Sequence, residues 1–166
     1  MIYMRAILAI FLLIGFAGST FAQGTQIPFG GYEHNASLPV EVISDALEVD
    51  QETGNATFVG NVVIGQGEMR LNASKVVVEY KTGVNQTGGK ISRMVASGGV
   101  ILVNGPEAAE ADEAVYSIDN AEITMSGNVI LTQGNNALSS TQMVVDLNTG
   151  RAQMTGRVKT ILQPEN

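Results

Sequence analysis

The 166-residue chain has no cysteine and no tryptophan, only 4 prolines, and aromatic residues at 5%. Without cysteine it forms no disulfide and offers no thiolate to zinc or to an iron–sulfur cluster. Few rings leave little bulky material for filling a wide core. Basic residues are scarce too: 9 Lys and Arg stand against 16 Asp and Glu, a formal net charge of −7. Such a chain carries no general field for phosphates, which excludes nucleic acid as a partner. The single histidine, His34, would need a fixed partner to act as a base. No Gly-x-Ser-x-Gly elbow, phosphate loop or helical metal motif occurs. Neither a cofactor, a metal nor an enzymatic activity is expected. The acidic group Glu107, Glu110, Asp112 and Glu113 fits no calcium-loop spacing and reads as a solvated surface.

What the chain does have begins with a targeting signal. Arg5 precedes an apolar run from Ala6 to Phe16, too short for a comfortable membrane span, and Thr20-Phe21-Ala22 supplies small residues for cleavage near Ala22. Removing Arg5 with this segment leaves 8 basic residues against 16 acidic ones, a net charge of −8. Residues 23–38 lack periodicity and read as a flexible leader. A domain over 39–162 and a short tail, 163–166, complete the chain.

Glycine is abundant at 19 residues, and its placement is regular. The stretch G-N-V-I-L-T-Q-G from Gly127 repeats G-N-V-V-I-G-Q-G from Gly60, and both phrases run without a gap to a closing Thr-Gly. Glycines preceding apolar runs stand at 98, 127 and 156, each 29 residues apart, while 60 to 98 adds a polar insertion around residues 84–90. A repeat of this kind is one supersecondary unit that buries its apolar face only by stacking on its neighbours. No sustained apolar period of 3.6 residues follows the signal, so the units are strands. The fold class is all-β: stacked antiparallel strand repeats forming two facing sheets with apolar columns between them.

Side chains alternate across a strand, and the repeat register then assigns the columns. The first strands give Phe58/Ala96/Met125/Met154, Val62/Val100/Val129/Val158 and Ile64/Leu102/Leu131, with Met94 on the same face. The second strands give Val76/Ala114/Met143, Val78/Tyr116/Val145 and Tyr80/Ile118/Leu147. Val40 and Val42 open the domain at one end of the stack. A stack of strands has two open ends with unpaired backbone groups. Val40, Val42 and Ser44 mark one end, and Val158, Thr160 and Leu162 the other. Joining one end to the other gives a contact that propagates.

The pattern G-N-V-x-I/L-x-Q-G, a polar turn, L-x-A/S-S-x-x-V-V and a closing T-G resembles the periplasmic lipopolysaccharide-bridge proteins, the LptA/OstA-like family. The resemblance covers about residues 39–160. It implies an open, twisted β-jellyroll that shields lipopolysaccharide acyl chains between its sheets while the sugars stay in water. It also implies partners: inner-membrane-anchored and outer-membrane jellyrolls of the same bridge, or an end-to-end homo-oligomer, in the periplasm of a Gram-negative bacterium. The columns above would then bind lipid. Two alternatives stand beside this reading. One is a structural β-solenoid of the cell envelope with a filled core and no ligand. The other is a carbohydrate-active enzyme, which should place paired carboxylates on one inward face; the inward columns contain none.

Overall fold

The computed structural model describes residues 25–30, 37–81 and 89–163, and every regular element among them is a strand. In chain order these are β1 (Thr25–Pro28), β2 (Glu41–Ile43), β3 (Ala46–Val49), β4 (Ala56–Gln66), β5 (Met69–Tyr80), β6 (Ile91–Asn104), β7 (Glu107–Ser117), β8 (Glu122–Gln133), β9 (Asn136–Asp146), β10 (Arg151–Thr155) and β11 (Lys159–Ile161). They form one 11-stranded antiparallel sheet in the order β1-β10-β9-β8-β7-β6-β5-β4-β2. β3 also pairs with β4, and β11 with β9. The expectation of an open, all-β jellyroll holds.

The hairpins follow from their turn residues. Gln133 pairs with Asn136, leaving Gly134-Asn135 as a two-residue loop. Gly134 has φ +57° and Asn135 does not share that sign, the mirror-image turn that matches the twist of the strands. Gly67 and Gly105 occupy the same position in the other two tight hairpins.

The facing surfaces arise from a crease. Pairing registers slip between Val59 and Val62, Ser97 and Val100, and Ser126 and Val129. Each slip is a bulge of two left-handed residues, such as Gly127 (φ +77°) and Asn128 (φ +47°). Asn tolerates that conformation better than most side chains, which explains the G-N phrase in the sequence. The neighbouring strand buttresses each bulge at a recurring position. Asn61 donates to Asp45 (2.8 Å) and Asn128 to Asp112 (2.9 Å), while the Ser74 hydroxyl donates to the Gly98 carbonyl (2.6 Å). At Gly156 the carbonyl accepts from the Thr141 amide (3.1 Å).

A line of aligned bulges bends a sheet. Here it divides the sheet into two leaves. The first holds β3, residues 56–59, 75–80, 91–97, 113–117, 122–126 and 142–146, and β10. The second holds β2, residues 62–66, 69–73, 100–104, 107–111, 129–133 and 136–140, and β11. The two facing sheets are thus leaves of one hydrogen-bonded sheet. The fold-back of each 29-residue unit makes a hairpin within it, and the bulges turn the halves toward each other.

The leader departs from expectation. Within 23–38, residues 25–28 pair with β10, from Thr25 opposite Met154 to Pro28 opposite Arg151. Phe29 beyond them is 1% exposed. Ile27 and Phe29 are two apolar residues in strand alternation, and both find cover in the core; the flanking polar residues mask that signal in the sequence. The proposed signal segment, His34 and the insertion at 84–88 lie outside the described residues.

Candidate functional site

The inward faces of the two leaves enclose an apolar trough along the stack. In the first leaf it is lined by Val76, Val78, Met94, Ala96, Ala114, Tyr116, Ile123, Met125, Met143, Val145 and Met154; in the second by Val62, Ile64, Val100, Leu102, Val129 and Leu131, all buried. Leu147 is also buried, and Phe58, Tyr80, Ile118, Val40, Val42 and Val158 pack half-buried against the core. The columns read from the repeat therefore share one interior. Ile130, between two inward neighbours, points outward at 41% exposure.

The structure adds a set of lining residues that alternation alone missed. Met69, Leu71, Ala73, Ala109, Ala111, Leu138 and Ser140 are buried as well. The unbulged strand of each pair changes phase at the crease: Ser74 and Lys75, Asp112 and Glu113, and Thr141 and Gln142 are consecutive exposed residues. Carrying a strict period of two back from Val76, Ala114 and Met143 puts this half on the wrong face. The repeat itself holds the missing signal, since Ala109 and Leu138 stand 29 residues apart, like the glycines.

Every methionine after Met4 lies in this interior: Met69, Met94, Met125, Met143 and Met154. Thioether side chains adapt to irregular apolar surroundings. The lining side chains form one packed cluster. The gap between Ile64, Leu71, Met94 and Tyr116 is about 10 Å3, the room of about one water. The crease joins the leaves on one side, and away from it a polar link bridges them. The Tyr116 hydroxyl donates to Gln66 Oε1 (3.2 Å), and Gln66 Nε2 donates to the Leu38 carbonyl (3.0 Å). Burial pushes the Tyr116 phenol above its ordinary range. Further along, Gln133 donates to the Pro28 carbonyl (2.6 Å) and to Glu107 (2.8 Å), while the Gly30 amide donates to Glu107.

The acidic group on β7 is dispersed: Glu107 serves those links, Asp112 buttresses a bulge, and Glu110 and Glu113 are exposed. Among the described residues no group of three or more acidic, His or Cys side chains could hold a metal. Arg93 pairs with Glu79 (2.8 Å) and Arg70 donates to the Gly67 and Met69 carbonyls.

The ends differ from the interior. β2 and β3 form one edge, where Val42 pairs with Ile64 and the Ser44 hydroxyl donates to the Ala46 carbonyl (3.0 Å). Leu47 and Val49 stand opposite the trough residues Phe58 and Ala56, yet are 56% and 61% exposed, since among the described residues no further strand covers them. At the other edge Thr160 is exposed, with Ile161 at 52% and Leu162 at 70%.

An open β-jellyroll of creased antiparallel repeats around an apolar trough is a recognisable class. Residues 41–151 match a family model described as LptA/(LptD N-terminal domain) LPS transport protein. The chain belongs to this family. It is 31% identical over 112 residues to an uncharacterized protein of Rhizobium meliloti (strain 1021), covering 66% of this chain and 60% of that protein. It is 31% identical over 97 residues to the lipopolysaccharide export system protein LptA of Haemophilus influenzae, covering 55% of each. With LptA of Escherichia coli (strain K12) it shares 36% identity over 53 residues, 32% of this chain and 29% of that one. The chain thus spans 60% or less of these curated relatives. The fold matches the crystal structure of LptH, the LptA homologous periplasmic component of the lipopolysaccharide transport device from Pseudomonas aeruginosa. The TM-score is 0.65 at 18% identity, over 76% of this chain and 96% of that one.

Proposed function

We propose that this protein is a non-enzymatic carrier that shelters lipopolysaccharide acyl chains between its leaves and passes them across the periplasm from inner to outer membrane. Its signal is removed near Ala22. The observation that carries the reading is a continuous apolar trough whose leaves are joined by backbone pairing along one crease only. Parting the mouth separates side chains across the trough and leaves the backbone pairing of the sheet intact. The need is physical: each methylene kept from water is worth about 0.8 kcal/mol, so a dozen of them represent about 10 kcal/mol. Relatives bearing the name lipopolysaccharide export system protein support the substrate class. The exposed Leu47, Val49, Ile161 and Leu162 suit end-to-end joining through β2 and β3 at one end and β11 at the other. Partners would be a second copy or the membrane-anchored and outer-membrane jellyrolls of the bridge.

Phe58→Asp puts a carboxylate at the half-buried end of the trough. It is expected to weaken binding of fluorophore-labelled lipopolysaccharide at least about tenfold, as one lost anchor of about 1.4 kcal/mol or more would, in a variant that keeps its β-sheet circular dichroism and a cooperative unfolding transition. Unchanged binding in the folded variant would remove the trough as the site. The filled interior favours a second reading, a structural module of the envelope without ligand. Mass spectrometry of lipids carried by the protein from its native compartment separates the two, since that module would carry none.

A further inference from the structure

We infer that Thr25–Gly30 is a built-in strap, occupying the place that the β3 strand of a second copy would take and holding the trough shut meanwhile. β1 runs antiparallel to β10 as β3 runs antiparallel to β4, so β1 lies in the direction a following copy's β3 would have. Both strands are 4 residues long. Ile27 stands opposite the fully buried Ala152, covering the end of the trough as an incoming Leu47 or Val49 would. Beyond it Phe29 enters the core, and its amide donates to the Gly150 carbonyl (2.9 Å) at the tip of the first leaf. Gln133 and Glu107, which hold Pro28 and Gly30, belong to the second leaf. The six residues therefore tie leaf to leaf as well as covering an edge. Pro28 has no amide hydrogen to offer a further strand, and proline on an edge strand blocks extension of a sheet. While the strap is in place, the first leaf ends there. Its displacement uncovers the β10 edge and the mouth in one event, which couples assembly to loading. The lipid half of this coupling rests on the trough reading above; the edge half does not.

The chain has no cysteine, so a Q26C/Q153C pair, directly opposed across β1 and β10, can lock the strap without competing thiols. A second variant, I27K/F29S, should release it. Mass by light scattering across protein concentration is the first readout, and binding of fluorophore-labelled lipopolysaccharide the second. The released variant is expected to assemble at about tenfold lower concentration than wild type; the oxidised pair should stay a single copy and bind at least tenfold less probe than its reduced form. Equal assembly by wild type, released and oxidised forms overturns the strap. Should I27K/F29S fail to fold, the oxidised and reduced pair decide alone, and identical masses overturn it. Probe binding by none of the forms removes the trough reading, while the masses still decide the strap.

Discussion

Val129→Asp is expected to leave no cooperative unfolding transition, while Ile130→Asp, one residue along the same strand, unfolds within about 0.5 kcal/mol of wild type. Val129 is fully buried and Ile130 points to solvent. Opposite Val129 lies Ser140, whose hydroxyl already donates to the Gln142 carbonyl. A carboxylate there would share the inward face with the buried Val100, Leu131 and Leu138, all of which are apolar. An uncompensated buried charge costs several kcal/mol or more, against a total stability of about 5–15 kcal/mol for an ordinary domain. The repeat offers no slack, because a one-residue shift of register turns every inward side chain outward. Far-ultraviolet circular dichroism during urea titration measures both variants. Equal effects at the two positions would mean that the leaves do not face each other along this column.

The second large effect falls on the crease. Gly99→Ala and Gly127→Ala place the same methyl group at nearly the same φ, +79° and +77°. At Gly99 nothing lies within 4 Å of the new carbon, whereas at Gly127 it would meet the Asp112 carboxylate, with the Asp112 Cβ at 2.9 Å. The left-handed conformation alone costs about 1–2 kcal/mol for a residue with a side chain. Gly99→Ala should lose that much. Gly127→Ala should lose about 1–3 kcal/mol more, the usual penalty of overpacking, because Asp112 must withdraw from Asn128 and release the buttress. Denaturant midpoints at constant slope measure the difference. Equal losses would show that the buttress does not set the bend.

The two predictions mark where sequence reading succeeds and where it stops. The glycines at 60, 98, 127 and 156 give the repeat, and the repeat gives the columns through Val62, Val100 and Val129, because strand alternation is a local rule. The crease is less visible. In the sequence G-N looks like punctuation before an apolar run; only the backbone shows two left-handed residues absorbing one step of the ladder. That step is why Leu71, Ala109 and Leu138 join the interior although strict alternation from Val76, Ala114 and Met143 sends them out. Phe29 is a different case. Its amide is tied to Gly150 and its neighbours Gly30 and Pro28 to Glu107 and Gln133, the nearest of these 77 residues along the chain, and no local pattern reports on such partners. The closing Thr-Gly is legible once seen as a turn. Asp50 and Asp146 each accept amides from the two residues before that glycine. For Asp50 these backbone bonds hold the carboxyl below its ordinary value; for Asp146 they do so against the opposing effect of desolvation.

The interior methionines carry a chemical consequence. Five thioethers are buried, none more than 6% exposed, and peroxide reaches sulfur only where solvent does. Sulfoxidation turns a pliant apolar side chain into a polar one, and that group could not be re-buried between Val145 and Leu131 without loss of packing. The sheltered sulfurs therefore form a clock for exposure: the rate at which they gain oxygen follows the fraction of time the interior is wet, and the first ones oxidised mark where it opens.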